Sequence, residues 1–470
     1  MEIHIDLTGE RGHRDAIYRQ LRAAILDGRI RPGEALPPTR ELAQRLAVSR
    51  TTVSAAYDRL TAEGFLAGRV GAGTFVTASS LTRPAPSPVS GVRPLPEWDA
   101  VPSPPAPFAP APEFDFRPGV PDLTRFPFDT WRRLVTQRLR AGQAGLMTYG
   151  DPQGLASLRA EIARHIGVSR DVRASAEQVV VTAGAQQTTD LVGRVLLRPG
   201  DLAAVEDPGY PPPRLVLAAR GVRVAPVPVD ASGIVVSAIP AGTRLVYVTP
   251  SHQYPLGLSM SLERRLELLD WAERTDAVLI EDDYDTEFRY TGRPLEPLHS
   301  LDSRGRVVYV GSFSKVLSPA LRLGFLVAPP SLVPALVKAR YLTDWHAPNV
   351  EQAALAAFMA EGGFARHVRR MRKVYRARHE LLSSSLTASF ADFLTPLPSS
   401  AGLHLSATSS SDPGFLVRAA RRHGVRLYSL GDFAVGERRH GLVFGYGAVA
   451  AERIGPGLAR LRALADGGAA

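Results

Sequence analysis

Apolar residues recur every three to four positions in the first part of the chain. Ile17, Leu21, Ala24 and Ile25 mark one face, Leu42, Ala43 and Leu46 a second, and Val53, Ala56, Tyr57 and Leu60 a third. That spacing puts an apolar stripe on each of three short helices. Ser49 stands where the third, SRTTVSAAYDRLTAEG, needs an N-cap, and Gly64 where it needs a C-cap. Beyond it, FLAGR and TFVT flank VGAG, the pattern of a short hairpin turned on glycine. From about residue 114 the rhythm changes to short apolar runs alternating with helical patterns. VVVT precedes GAQQTTDLVGRVLL, LAAVEDP precedes PRLVLAARG, and LVYVTP, AVLIEDD and RVVYVG follow. Such alternation predicts an α/β domain with a mainly parallel sheet.

Between these regions lie eleven prolines in 29 residues, 84 to 112. Proline fixes φ and cannot donate to a ladder, so an extended, semi-rigid spacer is expected there. The expected organisation is a small unit over 1–78, a linker over 79–113 and a large domain over 114–470. A chain of 470 residues is too long for a single core, and 45% hydrophobic content is ample for burying two. The N-terminus has no apolar leader, and no run approaches the length of a membrane span, so a soluble, cytoplasmic protein is expected. The absence of cysteine excludes disulfides and thiolate metal sites, the histidines show no metal-binding spacing, and no metal is expected.

The net charge of +10 suits a polyanionic partner, but it forms no basic tail, because residues 1 to 77 hold eleven Arg against nine Asp or Glu. The identity of the cations says more. Of 56 basic residues only three are lysines: Lys315, Lys338 and Lys373. Arginine stays protonated at any physiological pH, whereas a desolvated lysine amine can lose its proton and attack a carbonyl carbon. Lys338 and Lys373 lie in Arg-rich helical patterns, while Lys315 follows an apolar strand in GSFSK.

In the small unit, two helices joined by a tight turn around AVS and followed by a hairpin form a winged helix-turn-helix pattern. The second helix of the pair would enter the major groove of promoter DNA by its N-terminal end, Ser49, Arg50, Thr51 and Thr52. Arg40 would open the preceding helix towards phosphate, and Arg69 with Gly71 and Gly73 would form the wing. The segments PGEALPPTRELA, VSRTTV and GAGTFV occur in order, and the run containing them resembles the DNA-binding domain of GntR-type transcription regulators along its full length.

In the large domain, ligands are expected at the carboxyl ends of strands, and each unusual motif falls there. TAGAQQ opens a helix whose first N–H groups can hold a phosphate, with Gly184 and Ala185 allowing close approach. IEDDYD sets Asp282 beside Asp283, and a buried carboxylate there calls for a cation such as a protonated heterocycle. GSFSK presents Lys315, and Arg322 follows as a guanidinium suited to phosphate. Together they specify a ligand with a phosphate, a protonated ring nitrogen and an aldehyde, which is pyridoxal 5′-phosphate. The order and wording of these motifs resemble fold type I aminotransferases, and with the N-terminal unit the chain resembles the MocR/GabR-type subfamily of GntR regulators.

The resemblance implies that Lys315 carries the cofactor as a Schiff base, Asp282 pairs with the ring nitrogen and Tyr284 bonds the ring hydroxyl. It implies a phosphate site of Gly184, Ala185, Gln186, Ser312, Ser314 and Arg322, with Tyr149 lent by the neighbouring subunit of a head-to-tail homodimer and Tyr210 lining the pocket. Three places depart from the pattern. Tyr254-Pro255-Leu256-Gly257 stands in place of N-P-T-G, and Val443 and Pro212 stand where relatives carry carboxylate-binding arginines. The expected function is a transcription regulator that senses pyridoxal phosphate or a small amine, with at most partial transamination. The alternatives are a working aminotransferase with an accessory DNA-binding unit, and a DNA-binding scaffold whose large domain only dimerises.

Overall fold

A computed structural model of the chain describes residues 5–7, 12–69, 72–77, 93, 95, 98–99, 101–102, 112–290, 292, 296–437 and 439–467, with backbone only at 141, 143 and 144. The chain divides into two compact units, Met1–Leu95 and Pro96–Ala470. The expected proline-rich spacer and Gly71 of the wing lie almost wholly, and wholly, outside the described residues.

In the first unit, α1 (His13–Leu26), β1 (Ala35–Leu36), α2 (Thr39–Arg45), α3 (Arg50–Ala62), β2 (Leu66–Arg69) and β3 (Gly73–Val76) follow in order. The strands form an antiparallel sheet, β1-β3-β2. The three apolar stripes meet in one core, where Ile17, Leu21, Leu42, Val53, Ala56 and Leu60 are buried together. Ser49 caps α3 by accepting from the Thr52 amide at 3.1 Å. Gly64 leaves the helix at φ +78°, a conformation glycine adopts without a Cβ penalty, and so turns the chain into β2.

The second unit begins with β4 (Phe114–Asp115), α4 (Phe128–Arg138) and α5 (Ala156–Arg170). Next come β5 (Val179–Thr182), α6 (Ala185–Leu196), β6 (Leu202–Asp207), α7 (Pro211–Ala218), β7 (Arg223–Asp230), β8 (Gly233–Ile234) and β9 (Thr243–Val248). They are followed by α8 (Leu262–Thr275), β10 (Val278–Asp283), α9 (Leu298–Leu301), β11 (Val307–Ser312), β12 (Gly324–Val327) and α10 (Val333–Asp344). The eight strands form one sheet in the order β5-β12-β11-β10-β9-β6-β7-β8. β11, β10, β9, β6 and β7 run parallel, and β12 lies antiparallel to both its neighbours.

Both faces of this sheet are covered, which is why its strands read as continuous apolar runs. Ile280, Val308 and Leu245 pack with Leu191, Leu217 and Leu336 of α6, α7 and α10 on one side. On the other, Leu279, Val307 and Val246 meet Leu268 and Leu298 of α8 and α9.

The chain ends with α11 (Asn349–Ala360), α12 (Gly363–Ser389), β13 (Leu394–Pro396), β14 (His404–Ser409), α13 (Gly414–Arg422), β15 (Val425–Arg426), β16 (Tyr428–Ser429), β17 (Gly441–Gly445) and α14 (Ala451–Gly467). A four-stranded sheet, β13-β14-β17-β16, forms here, and β15 pairs with β4. This pairing brings the start of the unit back to its end, with Phe116 edge-on to Phe444 at 6.2 Å. The segment after β4 is tied down further. Arg378 of α12 donates to Asp122 at 2.5 Å and to the Gly447 carbonyl at 2.6 Å, and the Asp122 amide donates to Tyr375 Oη at 2.9 Å. The hydrogen bonds around this buried ion pair anchor the chain at Asp122, two residues beyond the Pro118-Gly119-Val120 stretch. No helix among the described residues is long and apolar enough to cross a membrane.

Candidate cofactor site and nucleic-acid interface

At the carboxyl ends of the parallel strands lies a cavity of about 370 Å³. Its lining includes Gly184, Ala185 and Gln186 from the start of α6, Ser312, Ser314 and Lys315 from the end of β11, and Arg322, Tyr210, Asp282 and Tyr284. Ten of the eleven candidate cofactor residues thus share one cavity. Tyr149 does not: it is 74% exposed and stacks on Trp345 with ring centroids 4.3 Å apart.

The lining also contains Pro118, Gly119, Val120, Thr249 and Tyr254, which the strand-end motifs do not reveal. Gly119 packs against the lysine, for a Cβ there would lie 2.9 Å from Lys315 Nζ, and its φ is +74°. A glycine between prolines in RPGVP is the one local signal that could have marked it. Tyr254, the residue in place of asparagine, sets its ring edge-on to Tyr210 at 5.5 Å and to Tyr284 at 6.0 Å. The cavity wall is therefore aromatic at this point. The Tyr284 hydroxyl donates to the His252 carbonyl at 2.9 Å, and His252 Nδ1 lies 3.1 Å from both oxygens of Asp285.

The ionisable groups are set against each other. Burial pushes the Lys315 ammonium down, with Asp282 and Asp285 opposing. Burial raises Asp282 to about 7, against the pull of Tyr247 and Lys315. Asp282 Oδ2 accepts a hydrogen bond from Tyr247, and its Oδ1 is buried with no hydrogen-bond partner among the described residues. An unpaired buried carboxylate oxygen costs free energy unless a cation or donor meets it.

The other end of the cavity suits an anion. Gly184 is the N-cap of α6 at φ +108°; its own N–H donates to Thr182 Oγ1 at 3.2 Å, and no side chain caps the N–H groups of Ala185 and Gln186 that follow it. Gly324 of β12 passes directly behind it: a Cβ on Gly324 would lie 2.8 Å from Gly184 Cα and 2.9 Å from the Gly311 carbonyl oxygen. Arg322 adopts φ +50° and donates to the Ala183 carbonyl at 2.8 Å, fixing its guanidinium at this turn. Arg322 and Lys315 are the only cations in the lining among the described residues. Val443 is buried in β17 with Val229, Leu256 and Leu430, and Pro212 lies in the first turn of α7. Arg117 is engaged with Asp115, and Arg125 lies 3.4 Å from Asp122.

In the first unit, Arg50 and Thr51 begin α3 in exposed positions, with Thr52 half-buried. Ser49 Oγ lies 2.7 Å from the hydroxyls of Thr51 and Thr52, so the cap also orders the start of the helix. Arg40, in the first turn of α2, is exposed, and neither it nor Arg50 forms an ion pair among the described residues. Arg69 lies over the Phe75 ring at 4.8 Å, and Gly73 adopts φ +108°.

Residues 120–423 match the family of class I and II aminotransferases, and residues 13–76 match the bacterial regulatory proteins of the gntR family. The chain is 37% identical over 458 residues to the probable rhizopine catabolism regulatory protein MocR of Rhizobium meliloti, covering 95% of this chain and 92% of that one. It is 34% identical over 434 residues to the pyridoxine biosynthesis transcriptional regulator PdxR of Corynebacterium glutamicum, covering 92% and 91%. The α-aminoadipate aminotransferase LysN of Thermus thermophilus, solved with N-(5′-phosphopyridoxyl)-L-leucine, superposes with a TM-score of 0.69 at 29% identity, covering 75% of this chain and 92% of that one.

The second unit is thus a fold type I aminotransferase domain, its cofactor is pyridoxal 5′-phosphate, and the first is a DNA-binding winged helix of the gntR type. The chain belongs to the MocR/GabR-type subfamily of GntR transcription regulators. The unpaired Asp282 oxygen, the uncapped start of α6 at Ala185 and the buried lysine fit that cofactor.

The glycine contact behind the phosphate turn generates a direct test. Gly324→Ala must displace backbone, so it should lower the unfolding free energy by about 1–3 kcal/mol in denaturant titration and weaken cofactor binding. Gly455→Ala, in α14 with open space around it, should cost nothing or stabilise slightly.

Proposed function

We propose that this protein regulates transcription from the cytoplasm as a head-to-tail homodimer, with its aminotransferase-like unit sensing pyridoxal phosphate itself or a small amine. The carrying observation is the cation inventory of the cavity: a lysine and a phosphate-side arginine are present, and the position for a substrate-carboxylate arginine is a buried valine. A working amino-acid aminotransferase needs that third cation, because a carboxylate taken out of water needs a partner. A scaffold that only dimerises gains nothing from an unpaired buried aspartate oxygen.

When bound, the cofactor supplies an aldehyde and an electron-withdrawing ring. In this reading Lys315, its amine favoured in the neutral form by burial, holds the aldehyde carbon. Asp282 holds the proton at the ring nitrogen. Ser312, Ser314, Arg322 and the start of α6 at Gly184, Ala185 and Gln186 would hold the phosphate. Tyr210, Tyr254 and Tyr284, with Tyr254 edge-on to the other two, would wall the ring's site and exclude water. Tyr149, exposed and outside its own cavity, is the side chain that each protomer lends to the other. On DNA, the N-terminal end of α3 from Ser49 to Thr52 enters the major groove, Arg40 meets phosphate, and Arg69 and Gly73 belong to the wing. An effector acts by binding the DNA-competent and incompetent states with different affinity.

Three outcomes check this reading. Lys315→Ala should stay folded, judged by its unfolding midpoint, and give no borohydride-reducible cofactor adduct; an adduct in that variant places the reactive amine elsewhere. Arg40→Ala and Arg50→Ala should each reduce the log–log salt slope of DNA binding by about one per phosphate contact removed, or cost roughly 1–3 kcal/mol and relax specificity where a base contact is lost. Unchanged affinity and slope in both variants sinks the DNA assignment. Finally, loading the apo protein with cofactor, or adding an amine without a carboxylate, should change its affinity for its promoter fragment, and GABA at micromolar concentration should not. A micromolar GABA response in both the cofactor's absorption and DNA affinity would show that another group has replaced the missing arginines.

A further inference from the structure

The buried run Leu245–Val248 of β9 carries one polar side-chain atom, the Tyr247 hydroxyl. Tyr247 is 3% exposed and belongs to the core cluster between the sheet and the helices, with Ile280 beside it on β10. A phenylalanine would fill the same space, and burying a hydroxyl is unfavourable unless it is bonded. Its bond goes to one place. β9 and β10 pair in parallel with Ile280 beside Tyr247, so Asp282, two residues on, sits on the same face of β10 and one step nearer the cavity. The Tyr247 hydroxyl donates to Asp282 Oδ2, and the carboxylate's other oxygen is left without a partner at the cavity that Asp282 lines.

We infer that Tyr247 is a positioning residue for the cofactor ring: its hydroxyl holds Asp282 charged and oriented, so that Oδ1 is the oxygen presented to the ring nitrogen. This rests on the proposed reading of Asp282. A single donor on Oδ2 does two things. It fixes rotation of the carboxylate about its Cβ–Cγ bond, and it stabilises the ionised form in a place where burial works against it. Burial and the Asp282 charge push the Tyr247 phenol well above its ordinary value, so it remains a donor throughout the accessible pH range.

The other groups facing Asp282 cannot take over this role. Glu206 on β6 and Asp283 and Asp285 on its own segment are acids that oppose its ionisation. Tyr210 and Tyr284 are kept protonated by burial and feel its charge, but neither bonds to it, and the Tyr284 proton goes to His252. Lys315 favours the carboxylate by charge alone, and it is the group that the cofactor would engage.

The sign of the pH effect follows. Asp282 supports a ring-protonated ligand above its free-state pKa, and that support is lost as pH falls through it. Without the Tyr247 donor this free-state value moves up, so the loss begins at higher pH.

The test uses full-length apo protein and pyridoxamine 5′-phosphate, which keeps the ring and phosphate and has no aldehyde, with affinity measured calorimetrically across pH. Tyr247→Phe should bind it roughly tenfold or more weakly at neutral pH, the loss expected for a hydrogen bond to a charged group, with the acid limb of the affinity curve shifted upward. In the Asp282→Asn background the same change should have no further effect. A wild-type affinity and acid limb in Tyr247→Phe overturns the assignment, as does an equal loss in the Asp282→Asn background, which would mark a packing role. Should Tyr247→Phe lose its fold, difluorotyrosine at 247, close in shape and a stronger donor, should move the acid limb down; no movement overturns the assignment. If Lys315→Ala loses the reducible adduct while Tyr247→Phe binds normally, only the role of Tyr247 falls. If the wild-type protein does not bind pyridoxamine phosphate at all, the cofactor roles of Asp282 and Tyr247 fall together.

Discussion

A carboxylate buried at the end of β10 is the constraint around which the large unit is arranged. Asp282 is 3% exposed, and such a charge persists in a low-dielectric interior only if it is paired. The protein meets one of its oxygens with Tyr247 and leaves the other at the cavity. Every nearby choice bears on that balance. Lys315 favours the ionised form, Asp283 and Asp285 oppose it, and the aromatic wall of Tyr210, Tyr254 and Tyr284 limits the water that could solvate it. A cationic ring nitrogen is the ligand group this arrangement lacks.

The near-exclusion of lysine has a related physical sense. Two buried arginines serve as multi-donor ties: Arg378 binds Asp122 and the Gly447 carbonyl, and Arg170 binds Asp283 and Ser251. Arginine does this well because its planar fork keeps its charge and satisfies several acceptors at once. Lysine cannot match that geometry, but it can lose a proton. The chain carries lysine at three positions, and one of them stands on the cavity.

What the cavity omits also shapes function. With Val443 packed among Val229, Leu256 and Leu430, no guanidinium reaches the region from β17, and Arg117 and Arg125 are paired with Asp115 and Asp122. A chain can therefore keep the cofactor chemistry of an aminotransferase while giving up the anchor for an amino-acid substrate.

The sequence by itself determined whatever depends on neighbours along the chain. The three helices of the first unit, the Ser49 cap, the strand-to-helix rhythm of the large unit and the motifs at the strand ends could all be read from spacing, because period 3.6, period 2 and capping chemistry are local. It also showed where the arginines are missing, since absence at a motif position needs no coordinates. The tertiary structure alone decided which distant residues meet. Tyr247 and Asp282 are 35 residues apart and bond only because β9 and β10 lie side by side in one register. Gly119 reaches Lys315 only because β4 pairs with β15 and Arg378 ties down the segment between them. Alternation along a strand says which side chains share a face, but not which strand lies beside it, so contacts of this kind are set by sheet order and register rather than by any local pattern.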